Sequence, residues 1–141
     1  MHARQPSGVA SPPVTTRAHF ILYVLDQAAA TSFWRAALDH DPALDVPGMT
    51  EFALGPDAVL GLMPEADIRS LLGPALPDPA GGRGAPRAEV YLVVDDAEAC
   101  HRRAVAAGAL ELSPMAPRSW GDRAAYSLGP DGHVVAFATR A

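Results

Sequence analysis

The hexapeptide FALGPD at residues 52–57 returns in altered form as YSLGPD at residues 126–131. An apolar stretch follows each copy, at residues 59–62 and at residues 134–137. The Gly-Pro-Asp sequence is typical of a turn, so each copy predicts a hairpin between two strands. The repeat indicates that the chain contains one structural unit twice.

The two halves also begin alike, with a strand followed by a helix. Residues 18–25 have the composition of a strand, and residues 30–38 place apolar side chains at the spacing of one helical face. In the second half, residues 88–94 predict a strand, and Asp95 and Glu98 have the spacing of a capping box at a helix start. Further strands are predicted near residue 44 and at residues 50–54, 58–63, 110–112, 124–128 and 133–139. Each half is therefore predicted to fold as βαβββ.

A segment rich in proline and glycine separates the halves at residues 73–87, which hold four glycines and four prolines. This composition predicts a linker or a long surface loop within one fold. We predict a first module at residues 17–72, a second module at residues 88–141 and a disordered tail at residues 1–16. The predicted fold class is α+β.

The composition excludes several classes of protein. With 49% hydrophobic and 19% charged residues among 141, the chain is not intrinsically disordered. A net charge of −5 argues against a nucleic-acid partner. A single cysteine, Cys100, excludes a disulfide framework and a zinc site made of several cysteines. Because no apolar run approaches the roughly 20 residues of a membrane helix, we predict a cytoplasmic protein with no membrane partner.

The first strand of each module is predicted to have one apolar face and one mixed face, because side chains alternate along a strand. The apolar face, which includes Phe20, is expected to pack under a helix. The mixed face carries His19 and Tyr23 in the first module, and Glu89 and Tyr91 in the second. Such a face either lines a cavity, where its polar groups need hydrogen-bond partners, or lies in water at the strand end.

Together with the duplicated βαβββ pattern, several motifs resemble the vicinal oxygen chelate superfamily, which includes glyoxalase I, bleomycin-resistance proteins, fosfomycin-resistance enzymes and extradiol dioxygenases. His19 stands seven residues before Asp26, and WGDR at residues 120–123 precedes GPDGH at residues 129–133. The resemblance covers nearly the whole chain from Arg17 onward. It implies two βαβββ modules that form curved mixed β-sheets around a shared cleft, within one chain or across a homodimer.

The resemblance also implies where a metal would bind, because metal-dependent members place ligands at four equivalent strand positions. Carried onto this sequence, these positions are His19, Gly61, Glu89 and Ala136. His19 matches a family ligand and Glu89 replaces a histidine, whereas Gly61 and Ala136 offer no donor atom where the family has carboxylates. The resemblance therefore implies no bound metal, with His19 and Glu89 as the residues that could hold one. Loss of the two carboxylates is expected to leave a larger and more apolar cleft.

Other candidates are assigned from their positions in the predicted elements. Trp120 either stacks on a planar ligand or covers the sheet edge. Arg118 is expected to be solvated, and His133 to be exposed in a hairpin. Trp34 is predicted to lie in the core, and His101 on the outer face of the second helix.

The leading functional prediction is a small-molecule-binding protein, similar to bleomycin-resistance proteins, that sequesters an antibiotic or metabolite without metal as a homodimer. The predicted ligand-binding residues are His19, Tyr23, Gly61, Glu89, Tyr91, Trp120 and Ala136. The alternative is a metal-dependent or metal-free lyase, isomerase or dioxygenase of the same superfamily. In a metal-free enzyme, His19 or Glu89 would act as a general base. A partner-binding or regulatory role is a third prediction.

Overall fold

The computed structural model describes residues 15–140, so most of the predicted tail and Ala141 lie outside the described residues. The first module contains β1 (Ala18–Val24), α1 (Gln27–Leu38), β2 (Leu44–Val46), β3 (Met49–Gly55), β4 (Ala58–Pro64) and α2 (Glu65–Leu72). The second contains β5 (Glu89–Val93), α3 (Ala97–Ala106), β6 (Leu110–Pro117), β7 (Asp122–Leu128) and β8 (Val134–Arg140). Two 3₁₀ turns, Gly73–Ala75 and Pro79–Gly82, lie between the modules.

The strands form two separate four-stranded sheets with the same topology. The strand orders are β1-β4-β3-β2 and β5-β8-β7-β6. In each sheet the first strand pairs in parallel with the last, and the remaining pairs are antiparallel. The repeated hexapeptides supply the hairpins β3–β4 and β7–β8, as predicted. The α+β fold of two modules with mixed sheets is confirmed.

The helices α1 and α3 begin at aspartate caps. Asp26 accepts a hydrogen bond from the backbone N–H of Ala29 at 3.0 Å. In the second module, Asp96 accepts from the N–H of Ala99 at 3.1 Å. The cap of α3 is therefore Asp96, and the prediction of Asp95 was wrong by one residue. Within residues 15–140, no helix is long and apolar enough to cross a membrane.

Both modules contribute to one hydrophobic core. On α1, Phe33 and Trp34 are buried and pack edge to face with ring centroids 5.3 Å apart. Phe52 on β3 and Phe137 on β8 are fully buried in the same cluster. The small side chain of Ala104 is the fully buried contact from α3, which packs against α1. The core position predicted for Trp34 is observed, and the modules fold around a shared interior.

The predicted burial of the apolar face of β1 is only partly observed. Val24 at the end of the strand is buried, whereas Phe20 is 61% exposed. The physical reason is that β1 is an edge strand and α1 packs over β4 and β3 of the same sheet. Apolar side chains near the start of β1 therefore remain available for contacts outside the core.

The prediction that His101 lies on the outer face of α3 was wrong. Its side chain is buried, and its Nε2 lies 2.8 Å from Oε2 of Glu111 on β6. The neighbouring Cys100 is half-buried against the core, and burial raises the pKa of its thiol. His101 therefore connects α3 to β6 at the edge of the second sheet. The raised pKa keeps the Cys100 thiol largely protonated at neutral pH.

Candidate functional site

A cavity of about 730 Å³ lies between β1 and β5, the first strands of the two modules. Its apolar wall consists of Phe20, Ile21, Leu22, Leu54, Ala58, Leu60, Ala88, Val90, Leu92 and Val93. Its polar side chains are those of His19, Glu89, Tyr91 and His133. A concave site of this size, mostly apolar and with a few polar groups, is typical of a small-molecule pocket.

The cavity includes three of the seven residues predicted to bind ligand. His19, Glu89 and Tyr91 line it. The other four, Tyr23, Gly61, Trp120 and Ala136, are not among the described residues that line it. Tyr23 lies further along β1, Gly61 and Ala136 are buried within β4 and β8, and Trp120 is exposed before β7.

His19 is accompanied by a carboxylate that was not among the predicted site residues. Its Nδ1 lies 3.5 Å from Oε2 of Glu51, and both side chains are partly exposed. Glu51 is on β3 and pairs directly with Gly61 on β4, the strand that separates β3 from β1. Gly61 also pairs with Ile21 on β1, so Glu51 lies on the same face of the sheet as Ile21 and His19. The alternation of residues 49–53 was the available signal, since it places Glu51 on the face opposite Phe52.

The space beside Gly61 is filled, which corrects the expectation of a larger cleft at this position. A Cβ atom at residue 61 would lie 3.1 Å from Cγ1 of Ile21 and 3.3 Å from Sδ of Met49. Both distances are shorter than ordinary van der Waals contacts. Two neighbouring apolar side chains therefore occupy the volume that a carboxylate would need.

In the second module, Tyr91 is the centre of a hydrogen-bonded cluster. Its hydroxyl donates to Oδ2 of Asp122 at 2.6 Å and accepts from Nε1 of Trp120 at 2.9 Å. The other oxygen of Asp122 accepts from Nη1 of Arg140 at 3.2 Å, and Asp122 is 2% exposed. Burial raises the pKa of the Tyr91 hydroxyl, and the hydrogen bond to Asp122 raises it further. The Tyr91 hydroxyl therefore stays protonated, and Tyr91 presents its aromatic ring to the cavity.

Arg118 is held by protein acceptors through Nε and Nη2, so the expectation of a solvated side chain was wrong. Its Nε and Nη2 donate to the carbonyl of Ala124 at 3.1 and 2.7 Å, and Nη2 also donates to Oγ of Ser113 and to the carbonyl of Pro114, both at 2.9 Å. The guanidinium carbon lies 5.1 Å from the ring centre of Tyr126, within the range of a cation–π contact. Arg118 thereby joins β6 to β7 beside the loop that carries Trp120.

His133 is half-buried and lines the cavity, so the prediction of an exposed side chain was wrong. Burial lowers the pKa of its imidazole, and the charges of Asp131 and Glu65 oppose that shift in part. The lowered pKa favours the neutral imidazole at neutral pH. His133 can therefore offer one hydrogen-bond donor and one acceptor to a bound molecule.

The donor atoms present do not fit a resident divalent metal. A catalytic metal usually takes about three protein ligands, and two of the four family positions, Gly61 and Ala136, supply none. Gly61 also has no room for a longer side chain unless Ile21 or Met49 moves. In the part of the chain that the structure describes, no group of three histidine, cysteine, aspartate or glutamate side chains could hold a metal ion.

Paired βαβββ modules with a cavity between their first strands define the class of protein to which the chain belongs. The sequence matches the Glyoxalase/Bleomycin resistance protein/Dioxygenase superfamily over residues 16–137. The chain is therefore a member of this superfamily, and the resemblance drawn from the sequence is confirmed. No curated protein matches the sequence.

Several solved structures share the fold. A glyoxalase-related enzyme from Fulvimarina pelagi has a TM-score of 0.73 at 21% identity, covering 87% of this chain and 86% of that one. A glyoxalase/bleomycin resistance protein/dioxygenase from Nocardioides has a TM-score of 0.70 at 24% identity, covering 96% and 89%. A family enzyme from Burkholderia phytofirmans PsJN has a TM-score of 0.73 at 14% identity, covering 87% and 97%. At these identities the similarity shows the shared fold alone.

Proposed function

We propose that the protein is a small-molecule-binding protein of the glyoxalase/bleomycin-resistance type that sequesters an antibiotic or metabolite without a metal. The observation that carries the proposal is the cavity of about 730 Å³ between β1 and β5. Ten of its fourteen lining residues are apolar, so transfer of an apolar ligand from water is the main driving force for binding.

The polar residues of the cavity give the ligand its orientation. Glu89 supplies a carboxylate, and His19 and His133 supply imidazole nitrogens. Tyr91 contributes its ring, because its hydroxyl is already bonded to Asp122 and Trp120. An apolar molecule with a few hydrogen-bonding groups is therefore the type of ligand that the cavity favours.

The absence of a metal is part of the proposal because of the donor atoms at the family positions. His19 and Glu89 provide one nitrogen and one carboxylate, and Gly61 and Ala136 provide nothing. This set favours a binding role over the metal-dependent lyase, isomerase or dioxygenase reactions of the superfamily.

A homodimer is also part of the proposal. Leu110 and Leu112 on β6, an edge strand away from the cavity, are 63% and 51% exposed, and a second copy that covers them would remove this apolar surface from water. Native mass spectrometry of the full chain as expressed tests the assembly and the metal together. We expect a dimer mass, a bound organic molecule and no stoichiometric metal. A stoichiometric metal that is lost in His19→Ala would contradict the proposal.

The place of binding is tested with the dye 8-anilinonaphthalene-1-sulfonate, which fluoresces in apolar sites. In Ala88→Trp, a large side chain enters the cavity from a residue that lines it, and we expect dye affinity to fall by about tenfold or more. Ala53→Trp is the matched control, because Ala53 is exposed on β3 and is not among the lining residues. Equal affinity of the two variants would show that the dye binds elsewhere.

A further inference from the structure

The cavity runs along the open edges of two strands. β1 and β5 are the first strands of different sheets, and no ladder joins them. Successive side chains of a strand point to opposite faces, so a cavity on one face would be lined by alternate residues. Here the consecutive residues 19–22 of β1 and 88–93, which include all of β5, line the cavity. The backbone edges of both strands therefore border it.

Hydrogen bonds at the strand ends identify the backbone groups on the open edges. The N–H of Ala18 donates to the carbonyl of Asp57 beside β4, and the N–H of Val94 donates to the carbonyl of Ala138 on β8, both at 2.9 Å. Along an edge strand, residues that bond to the ladder alternate with residues whose N–H and C=O point outward. The even-numbered residues therefore face the ladder. The outward residues are His19, Ile21 and Tyr23 on β1, and Glu89, Tyr91 and Val93 on β5.

The same alternation makes the N–H of Leu25, just after β1, an outward group, and this N–H already has an acceptor in the second module. The N–H of Leu25 donates to Oδ1 of Asp131 at 3.2 Å. Asp131 belongs to the turn between β7 and β8, so the open edge of β1 faces the second module. A side chain takes the place here that the carbonyl of an adjacent strand would take in a continuous sheet. The outward groups of residues 19–21 and 89–93 lie on the same two strand edges, beside the cavity.

We propose that the ligand of this cavity is a short extended peptide that adds as a strand to the edges of β1 and β5. The inference rests on the proposed binding role of the cavity and names the chemical class of its ligand. An extended peptide has donors and acceptors along both of its edges, which matches two open edges, and strand addition is a common mode of peptide recognition. The apolar walls suit apolar side chains, and the carboxylate of Glu89 suits a cationic one.

A designed peptide tests the proposal on the full chain. The probe is acetyl-Lys-Val-Thr-Val-Lys-amide, and its control is the same peptide with both valines N-methylated, which keeps the side chains but removes amide donors. By isothermal titration calorimetry, we expect the control to bind about tenfold more weakly or worse. The probe should slow amide hydrogen exchange at Ile21 and Tyr91 by about tenfold, while Leu22, which faces the ladder, changes little. Equal affinity of the two peptides would overturn the proposal.

A protein variant gives an independent test. Val93→Pro removes an outward N–H at the end of β5 without removing a ladder donor, which an edge strand tolerates. We expect it to weaken the probe about tenfold relative to Val93→Ala, which removes the side chain and keeps the donor. If Val93→Pro does not fold, the N-methylated peptide still decides. Slow exchange of Ile21 and Tyr91 in the free protein would also overturn the proposal, because another segment or a second copy would then cover the edges.

The dye separates the two proposals. If 8-anilinonaphthalene-1-sulfonate binds in an Ala88-dependent way and the peptide does not bind, the peptide inference is wrong and the cavity remains a small-molecule site. If neither binds and native mass spectrometry finds no ligand, the proposed function fails as well.

Discussion

The two modules share a topology but differ in the polar groups beside the cavity. In the first module, His19 and Glu51 form one partly exposed contact at 3.5 Å. In the second, Asp122 is buried and holds both Tyr91 and Arg140. The two modules have the same strand order but different polar side chains beside the cavity. The second module therefore has a hydrogen-bonded cluster around a buried carboxylate where the first has a partly exposed pair.

The same difference is visible in the helices. α1 inserts the aromatic side chains of Phe33 and Trp34 into the shared core, whereas α3 contributes alanines such as Ala97 and Ala104. The two helices contact each other, and the buried residues of α3 in this cluster are alanines. The core is thus one cluster to which the modules contribute side chains of different size.

The largest effect is expected from removal of a core aromatic ring. Phe137→Ala should lower the free energy of unfolding by about 3–5 kcal/mol, because Phe137 is fully buried in the shared cluster. Urea unfolding followed by Trp34 fluorescence, in a Trp120→Phe background, should show one transition shifted to lower urea. Leu71→Ala, at an exposed position on α2, is the control. An unchanged Trp34 transition would mean that the modules unfold independently.

The next largest effect is a difference in stability between loss of the buried Asp122 carboxylate and loss of the partly exposed Glu51 carboxylate. Asp122→Ala should cost about 2–3 kcal/mol, because it leaves the Tyr91 hydroxyl without its acceptor and removes a buried hydrogen-bonded carboxylate. Glu51→Ala should cost about 0–1 kcal/mol, since its contact with His19 is partly exposed. Both are measured by urea unfolding, with exposed Asp95→Ala as the control. Equal losses for Asp122 and Glu51 would contradict the difference between the modules.

A smaller effect is expected where the first module is tightly packed. Gly61→Ala should lower the free energy of unfolding by about 1–2 kcal/mol, because its Cβ would crowd Ile21 and Met49. Gly55→Ala is the matched control on the neighbouring strand, since a Cβ there would meet no atom within 4 Å. Thermal unfolding of the two variants measures the difference. Equal melting temperatures would show that Ile21 or Met49 moves at no cost.

The smallest effect is the pH dependence caused by His133. Burial lowers its pKa in the folded protein, so the unfolded chain binds a proton more readily. The stability contribution is present above the ordinary histidine pKa and is lost as the pH falls through the lowered value. His133→Asn should therefore lose less stability than the wild type between pH 8 and pH 5, measured as urea midpoints. If the difference between the urea midpoints of the wild type and the variant does not change with pH, His133 is not the cause.

The topology was predictable because its signals are local. The repeated Gly-Pro-Asp turns and the apolar spacing around Phe33 identify hairpins and helices without reference to distant residues. The start of α3 was misplaced because Asp95 and Asp96 both offer a capping carboxylate, and only the backbone geometry selects Asp96.

The site was less predictable because its contacts depend on which strands become neighbours. Glu51 lies near His19 only in the folded sheet, because β3 and β1 both pair with β4. Arg118 was predicted to be solvated because its acceptors come together only when β6 pairs with β7. Alternation along a strand gives the face of a residue, but the identity of its partner requires the register of the sheet.

The missing ladder between β1 and β5 has a consequence for the range of ligands. Moving the two sheets apart breaks no hydrogen bond between strands. A bulkier ligand is therefore opposed mainly by the packing of α1 on α3 and by the hydrogen bond from Leu25 to Asp131. The size of ligand that the cavity accepts then depends on how far α1 can shift relative to α3. Substitutions at that helix contact, remote from any bound molecule, would broaden or narrow what the protein accepts.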